Sequence, residues 1–217
     1  WRQRDDAEVG DFFAVQSCNG KLLSLPSILF LSFPKRQRAF SISPRLAAAA
    51  VLFVTFAVYL PALQNDFVNW DDDGYVTDNM RTRHLSADNI AWAITSGHKA
   101  NWHPLTWLSH MLDGSLYGLD PWGHHLSSLL VHAVNAALLL MVLYRLTGAL
   151  GPSLLVAALF ALHPLNVESV AWISERKNVL SMFFFLLALY AYVGYTARPG
   201  PGRYALVLLP FALGLMA

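Results

Sequence analysis

The chain has 217 residues, of which 55% are hydrophobic and only 13% are charged, and its formal net charge is +1. Because an average soluble domain carries about 25% charged residues, this composition indicates a membrane protein. A net charge so close to zero argues neither for a nucleic-acid partner nor for an acidic one. The chain's single cysteine excludes an intrachain disulfide.

Residues 1–45 are interpreted as a cytoplasmic or poorly structured N-terminal segment. They contain a short apolar run, Leu22–Phe33, but acidic residues occupy the start, where a cleavable signal would be basic. The chain opens on Trp1, and an apolar run is still in progress at Ala217. We therefore expect the front of a longer protein.

Residues 46–217 are interpreted as one transmembrane domain. A bilayer core is crossed by roughly 18–20 apolar residues. Four runs without Asp, Glu, Lys or Arg approach that length, and a fifth is still open at the end of the chain: Leu46–Leu63, Leu126–Leu143, Leu150–Asn166, Val179–Ala197 and Tyr204–Ala217. The predicted fold class is an all-α, polytopic transmembrane helix bundle with about five spans.

The basic residues before the first span predict its orientation. Lys35, Arg36, Arg38 and Arg45 precede it, and the positive-inside rule places such residues in the cytoplasm. Alternation then puts residues 64–125 and 164–178 in outer loops. In the long first loop, Ser86 is a plausible N-cap for a helix over Ala87–Thr95, and a second helix should follow Pro104. Both are predicted to be amphipathic and to lie on the membrane surface.

Three adjacent acids, Asp71, Asp72 and Asp73, follow the first span. A carboxylate there could act as a general base, since neighbouring like charges favour a proton acceptor. A hydrated acidic turn before Gly74 is the simpler interpretation, and a Ca²⁺ or Mg²⁺ site is a third. Spacing alone leaves the three open.

In the second outer loop, Arg176 and Lys177 stand where the fourth span begins. An arginine there could bind a phosphate through its planar fork, although basic side chains also reach lipid head groups without a specific ligand. Eight histidines raise the question of a metal, but no tight metal-binding spacing occurs, and no metal site is predicted. Ser128, His132 and Asn135 form a polar stripe that should face the bundle interior.

Two motifs in fixed order carry a family resemblance: Asn-Trp-Asp-Asp at 69–72, and the run from His163 through Glu168 to Arg176-Lys177-Asn178-Val179-Leu180, with Trp-His-Pro-Leu-Thr at 102–106 between them. From about Leu46 onward the chain resembles the membrane half of the transmembrane and TPR-containing O-mannosyltransferases and their bacterial relatives. These are polytopic glycosyltransferases of the GT-C class.

The resemblance implies inverting transfer of a sugar, mannose in that family, from a polyprenyl-phosphate donor to a hydroxyl acceptor such as protein Ser or Thr. It assigns the catalytic base to Asp71 or Asp72, the donor phosphate to Arg176 with Lys177, and substrate binding to His103, His163 and Glu168. No cofactor is certain, and a divalent cation stays open. The third acid, Asp73, leaves the register of the acid pair uncertain.

The expected partners are membrane lipids, the lipid-linked sugar and a protein acceptor held by downstream TPR repeats, with no nucleic acid. The expected location is the bacterial inner membrane, with the site on the periplasmic side. Two other classes stay open. One is a transporter or channel subunit, which would more often show broken spans, and the other is a non-catalytic membrane scaffold for a TPR domain.

Overall fold

The computed structural model describes residues 42–217, so the interpretation of residues 1–41 lies outside the described residues. Eight α-helices make up most of this part of the chain, and it contains no strand. In chain order they are α1 (Pro44–Tyr59), α2 (Ala87–Thr95), α3 (Pro104–Tyr117), α4 (Pro121–Thr147), α5 (Leu150–Leu162), α6 (Leu165–Ala171), α7 (Arg176–Ala197) and α8 (Pro201–Gly214). The all-α prediction is confirmed.

Three helical stretches are long and apolar enough to cross a membrane: Pro44–Gln64, Pro121–Thr147 and Ile173–Ala197. The pair α5 and α6 makes a fourth if it is counted as one span, bent by 60°. The α8 helix has 14 residues, which corresponds to roughly 21 Å at 1.5 Å per residue. Of the five predicted spans, three are thus continuous helices, one is bent and one is short.

The bend between α5 and α6 falls at His163 and Pro164. The sequence predicted one continuous span over Leu150–Asn166, but His163 has extended backbone angles, with φ −68° and ψ 131°. A proline disfavours the helical conformation of the residue before it, which explains why α5 ends at Leu162. The segment that was predicted as an outer loop is largely helical as a result.

Small side chains hold the spans together. The core between α1, α4 and α5 is built from Ala47, Ala48, Val51, Ala136, Leu140, Ala157 and Ala161. Alanines let helix backbones approach closely, which supplies packing where lipid offers no hydrophobic driving force. The predicted polar stripe is confirmed, since Ser128, His132 and Asn135 are buried on α4.

The predicted α2 helix is confirmed at its boundaries, with the Ser86 side chain accepting a hydrogen bond from the backbone N–H of Asn89 at 3.2 Å. The α3 helix also begins at Pro104 as predicted. Leu105, Leu108, Leu112 and Leu116 recur at helical spacing along α3 and were predicted to share one face. That face is not the packed one, because Leu112 and Leu116 are 48% and 63% exposed. The packed face carries Trp107, Met111 and polar groups instead. An apolar exposed face agrees with a position on the membrane surface, which stays a prediction.

Candidate functional site

Asp72 joins the two loop segments that the sequence singled out. It is fully buried, and its carboxylate accepts hydrogen bonds from the backbone N–H of Val68 and of Ser174, each at 2.9 Å, and from the Ser174 hydroxyl. Ser174 lies 102 residues further along the chain. Asp72 therefore fixes both segments at one end of the bundle, which we call the acidic end (residues 65–120 and 163–175).

Asp71 and Asp73 occupy a different environment from Asp72. Their side chains are 41% and 44% exposed, and Lys99 places its Nζ 3.6 Å from Asp71 Oδ1 and 3.9 Å from Asp73 Oδ1. An exposed carboxylate is accessible to an incoming hydroxyl group, whereas the oxygens of Asp72 are already occupied. The sequence could not choose between Asp71 and Asp72, and of the two only Asp71 has a carboxylate that an external group can reach.

The position of Lys99 depends on an unusual backbone. Lys99 and Ala100 both have positive φ values, 56° and 58°, a conformation that costs a residue other than glycine on the order of 1–3 kcal/mol. The Lys99 side chain passes over Gly74, where an added Cβ would lie 2.0 Å from Lys99 Cε. A side chain at position 74 would therefore have to displace the flexible end of Lys99. The sequence analysis assigned no role to Lys99.

Lys177 contacts the acidic end at the ring of Tyr75. Its Nζ lies 5.6 Å from the centre of the Tyr75 ring and donates to Glu175 Oε1 at 2.6 Å. Tyr75 is 2% exposed, and burial is the main reason that its pKa is raised. Since Lys177 is 28% exposed at its side chain, it remains accessible to a ligand at the acidic end.

Arg176, in contrast, is enclosed. It is 1% exposed, and its guanidinium donates to Ser128 Oγ at 3.1 Å, to the carbonyl of His124 at 2.6 Å and to Asp113. This arrangement ties α3, α4 and α7 together. Arg176 thus forms an internal ion pair with Asp113, and Lys177 is the accessible member of the adjacent basic pair. The phosphate contact of Arg176 stays a prediction.

Asp113 was missed by the sequence analysis. It is 3% exposed and also accepts a hydrogen bond from Ser127 at 2.7 Å. A signal was present, because Asp113 is the one acid in α3 and lies on the same helical face as His110 and Trp107. A lone acid on the packed face of a helix predicts a buried cationic partner.

The three residues assigned to substrate binding fall into two groups. His103 is buried at the acidic end, with its ring 5.5 Å from that of Tyr75 and 4.8 Å from that of Trp107. Burial, followed by the charges of Lys177 and His98, lowers its pKa to about 4. His163 and Glu168 are exposed at the α5–α6 bend. Within residues 42–217 neither makes a hydrogen bond or ion pair to Asp71, Asp72, Arg176 or Lys177.

No group of three or more His, Cys, Asp or Glu side chains in the described part of the chain is arranged to hold a metal ion. The space between Asp71 and Asp73 contains the ammonium group of Lys99 instead. One ammonium group is therefore shared by two carboxylates at this position.

These features define a class: an all-helical, multi-pass membrane protein in which two loop segments meet at one end in a cluster of exposed carboxylates and amines. The chain is 33% identical over 156 residues to protein O-mannosyl-transferase TMTC2 of Mus musculus, which covers 65% of this chain and 18% of that protein. It is 34% identical over 173 residues to protein O-mannosyl-transferase TMTC3 of Homo sapiens, which covers 75% of this chain and 18% of that protein.

Protein O-mannosyl-transferase Tmtc1 of Drosophila melanogaster is 32% identical over 148 residues, covering 64% of this chain and 17% of that protein. No protein-family model and no solved structure matches the chain. The motif resemblance is confirmed: the chain is homologous to a part of proteins that are named O-mannosyl-transferases. It spans less than a fifth of the length of these curated relatives.

Proposed function

We propose that this chain is part of an inverting GT-C-type glycosyltransferase. It would move a sugar, mannose by analogy with its relatives, from a polyprenyl-phosphate donor to a hydroxyl acceptor such as a protein Ser or Thr. The observation that carries the proposal is the hydrogen-bonded joint between Asp72 and Ser174. This joint brings Asp71 and Lys177 to the same end of the bundle, as transfer from a lipid-borne donor requires.

In the proposed reaction, Asp71 accepts the proton of the acceptor hydroxyl, and the oxygen of that hydroxyl attacks the anomeric carbon. The bond from that carbon to the phosphate oxygen breaks, and the phosphate leaves with the electron pair. Configuration at the carbon inverts because attack and departure take place on opposite faces. Lys177, with Lys99 near Asp71, supplies positive charge to the departing phosphate.

The remaining assignments follow from the same layout. Asp72 and Arg176 position the acidic end, Asp72 through Ser174 and Arg176 through Asp113. His103 supports the ring of Tyr75 beneath Lys177, while His163 and Glu168 would contact the acceptor at the bend. The basic residues before α1 favour an orientation with the acidic end outside the cytoplasm. A bacterial inner membrane, with this end in the periplasm, belongs to the same proposal. A protein acceptor held by downstream TPR repeats belongs to the same proposal.

The test uses the full-length protein in lipid nanodiscs with polyprenyl-phosphate mannose and an acceptor mixture, followed by mass spectrometry of mannosylated products. Asp71→Asn should abolish transfer, and Lys177→Met should raise the donor KM. The matched control is Asp88→Asn, an exposed acid in the first turn of α2, which should transfer as the wild type does. Wild-type turnover by Asp71→Asn would refute the proposed base.

A second variant tests whether Lys99 supports Asp71. Gly74→Ala adds a Cβ against Lys99 Cε and displaces the ammonium from Asp71 without changing any charge. Transfer should slow, with a lower kcat at a similar thermal stability, because the flexible end of a lysine can move aside. An unchanged kcat would show that Lys99 is dispensable.

One observation favours the transporter alternative. The bent pair α5 and α6 is the kind of interrupted helix that transporters place at their binding sites. If the protein is a transporter, sealed proteoliposomes should show solute flux that does not require a lipid-linked sugar. Flux without any transfer product would favour that class over the transferase.

A further inference from the structure

A cavity of about 450 Å³ lies between α4, α5, α6, α7 and α8, separate from the carboxylates of the acidic end. Much of its wall is apolar and includes Phe160, Phe185 and Phe211. One part is polar and contains three asparagines, Asn135, Asn166 and Asn178, together with serine hydroxyls. No Asp, Glu, Lys or Arg lines it. Such a wall suits a ligand that is uncharged and partly apolar.

The orientation of each of the three amides is fixed by its partner. The Nδ2 of Asn135 donates to the carbonyl of Val179 at 2.8 Å, and that of Asn166 donates to the carbonyl of Phe160 at 2.6 Å. The Nδ2 of Asn178 donates to a carboxylate oxygen of Glu175 at 2.6 Å. Carbonyl and carboxylate oxygens can only accept, so each amide must present its NH₂ group to the protein.

The amide oxygens are therefore left as acceptors. Asn135 is fully buried, and its Oδ1 has no hydrogen-bond partner in the described part of the chain. Within residues 42–217, no side chain or backbone group donates to Oδ1 of Asn166 or Asn178 either. A buried acceptor without a donor is costly and is rare in native proteins. This cost applies to Asn135, whereas the side chains of Asn166 and Asn178 are half-buried and exposed, respectively, and add two further free acceptors to the same wall. Such a wall suits a ligand with several O–H donors.

We propose that this cavity binds an uncharged, hydroxyl-rich head group carried on an apolar tail. Hydroxyl groups would donate to the three amide oxygens, and the tail would lie against the phenylalanine side chains. The absence of a cation from the wall distinguishes this ligand from a lipid phosphate. Glu175 connects the cavity to the acidic end, because it bonds both Asn178 and Lys177.

Binding is measured on the full-length protein in nanodiscs by saturation-transfer NMR, with no donor present. Three probes are used. Hexyl mannoside has both the uncharged head group and the apolar tail, and methyl mannoside has the head group without the tail. Hexyl phosphate has the same tail with a charged head group. We expect saturable binding of hexyl mannoside, weaker binding of methyl mannoside and none of hexyl phosphate. Empty nanodiscs correct for partition of the tails into lipid.

Asn135→Leu should weaken hexyl mannoside binding about tenfold, the factor expected for one lost hydrogen bond. Asn178→Leu, at an exposed position, gives the same test if the buried variant does not fold. The matched control is Thr55→Val, a buried polar residue of α1 outside the cavity, which should bind normally. Absent binding of hexyl mannoside, equal binding of hexyl phosphate, or full binding by both asparagine variants would overturn the proposal.

Transfer activity and this binding can fail separately. Asp71→Asn should keep full hexyl mannoside binding, because Asp71 does not line the cavity. Loss of transfer with retained binding would therefore bear on the proposed reaction and not on the cavity.

Discussion

Replacing Asp72 by asparagine tests whether this acid has a structural role that is distinct from the role proposed for Asp71. The carboxylate of Asp72 accepts three hydrogen bonds, two at Oδ1 from Ser174 and one at Oδ2 from Val68. In the least costly orientation, the amide nitrogen of the introduced side chain would face the N–H of Val68. That N–H loses its acceptor, and both bonds from Ser174 lose their charge assistance.

The magnitude follows from these three contacts. One unsatisfied buried donor costs about 1–3 kcal/mol, and each bond that loses its charged acceptor weakens by about 1 kcal/mol. Asp72→Asn should therefore destabilise the protein by about 3–5 kcal/mol. Asp71→Asn loses only a half-exposed pair to Lys99 at 3.6 Å, for which about 1 kcal/mol is an upper value.

The two variants are compared by thermal melting of the full-length protein in detergent, and by proteolysis of the acidic end. Asp72→Asn should melt several degrees lower and expose the loop segments to protease. Asp71→Asn should melt as the wild type does while losing transfer. If Asp72→Asn had the same melting temperature as Asp71→Asn and stayed active, Asp72 would not hold the two segments together.

Two further predictions concern buried groups. Arg176→Met or Asp113→Leu alone should cost about 3–5 kcal/mol, because each leaves a buried charge unpaired, whereas the double variant should cost much less than their sum. Additive melting shifts in this cycle would contradict the ion pair. His103 has its pKa lowered by burial to about 4 from 6.5, so it stays neutral in the folded protein. Its contribution to stability is constant above pH 6.5 and is lost between pH 6.5 and 4, by up to about 1.4 kcal/mol per pH unit. His103→Phe should flatten the melting temperature over this range, and an unchanged pH profile would exclude this contribution.

Local sequence determined the parts of the fold that depend on neighbouring residues. The lengths of the apolar runs predicted α1, α4 and α7, since a helix must satisfy its backbone hydrogen bonds within one segment to cross a bilayer. Ser86 and Pro104 gave the starts of α2 and α3 for the same local reason, because caps act within one turn. The bend at His163 also has a local cause, the proline that follows it. The uninterrupted apolar run nevertheless led to the prediction of one continuous span.

Only the tertiary structure assigned different environments to adjacent residues of the same charge. Asp71 and Asp72 are adjacent in the chain, yet one is accessible and the other is enclosed by Ser174, 102 residues away. Arg176 and Lys177 differ in the same way, because Asp113, 63 residues before Arg176, pairs with one of them. Whether a charge is available to a ligand depends on burial and on partners, and both are set by contacts between segments that are distant in sequence. The sequence therefore determined where the spans and the charged motifs lie, and the packing decided which of those charges are free to act.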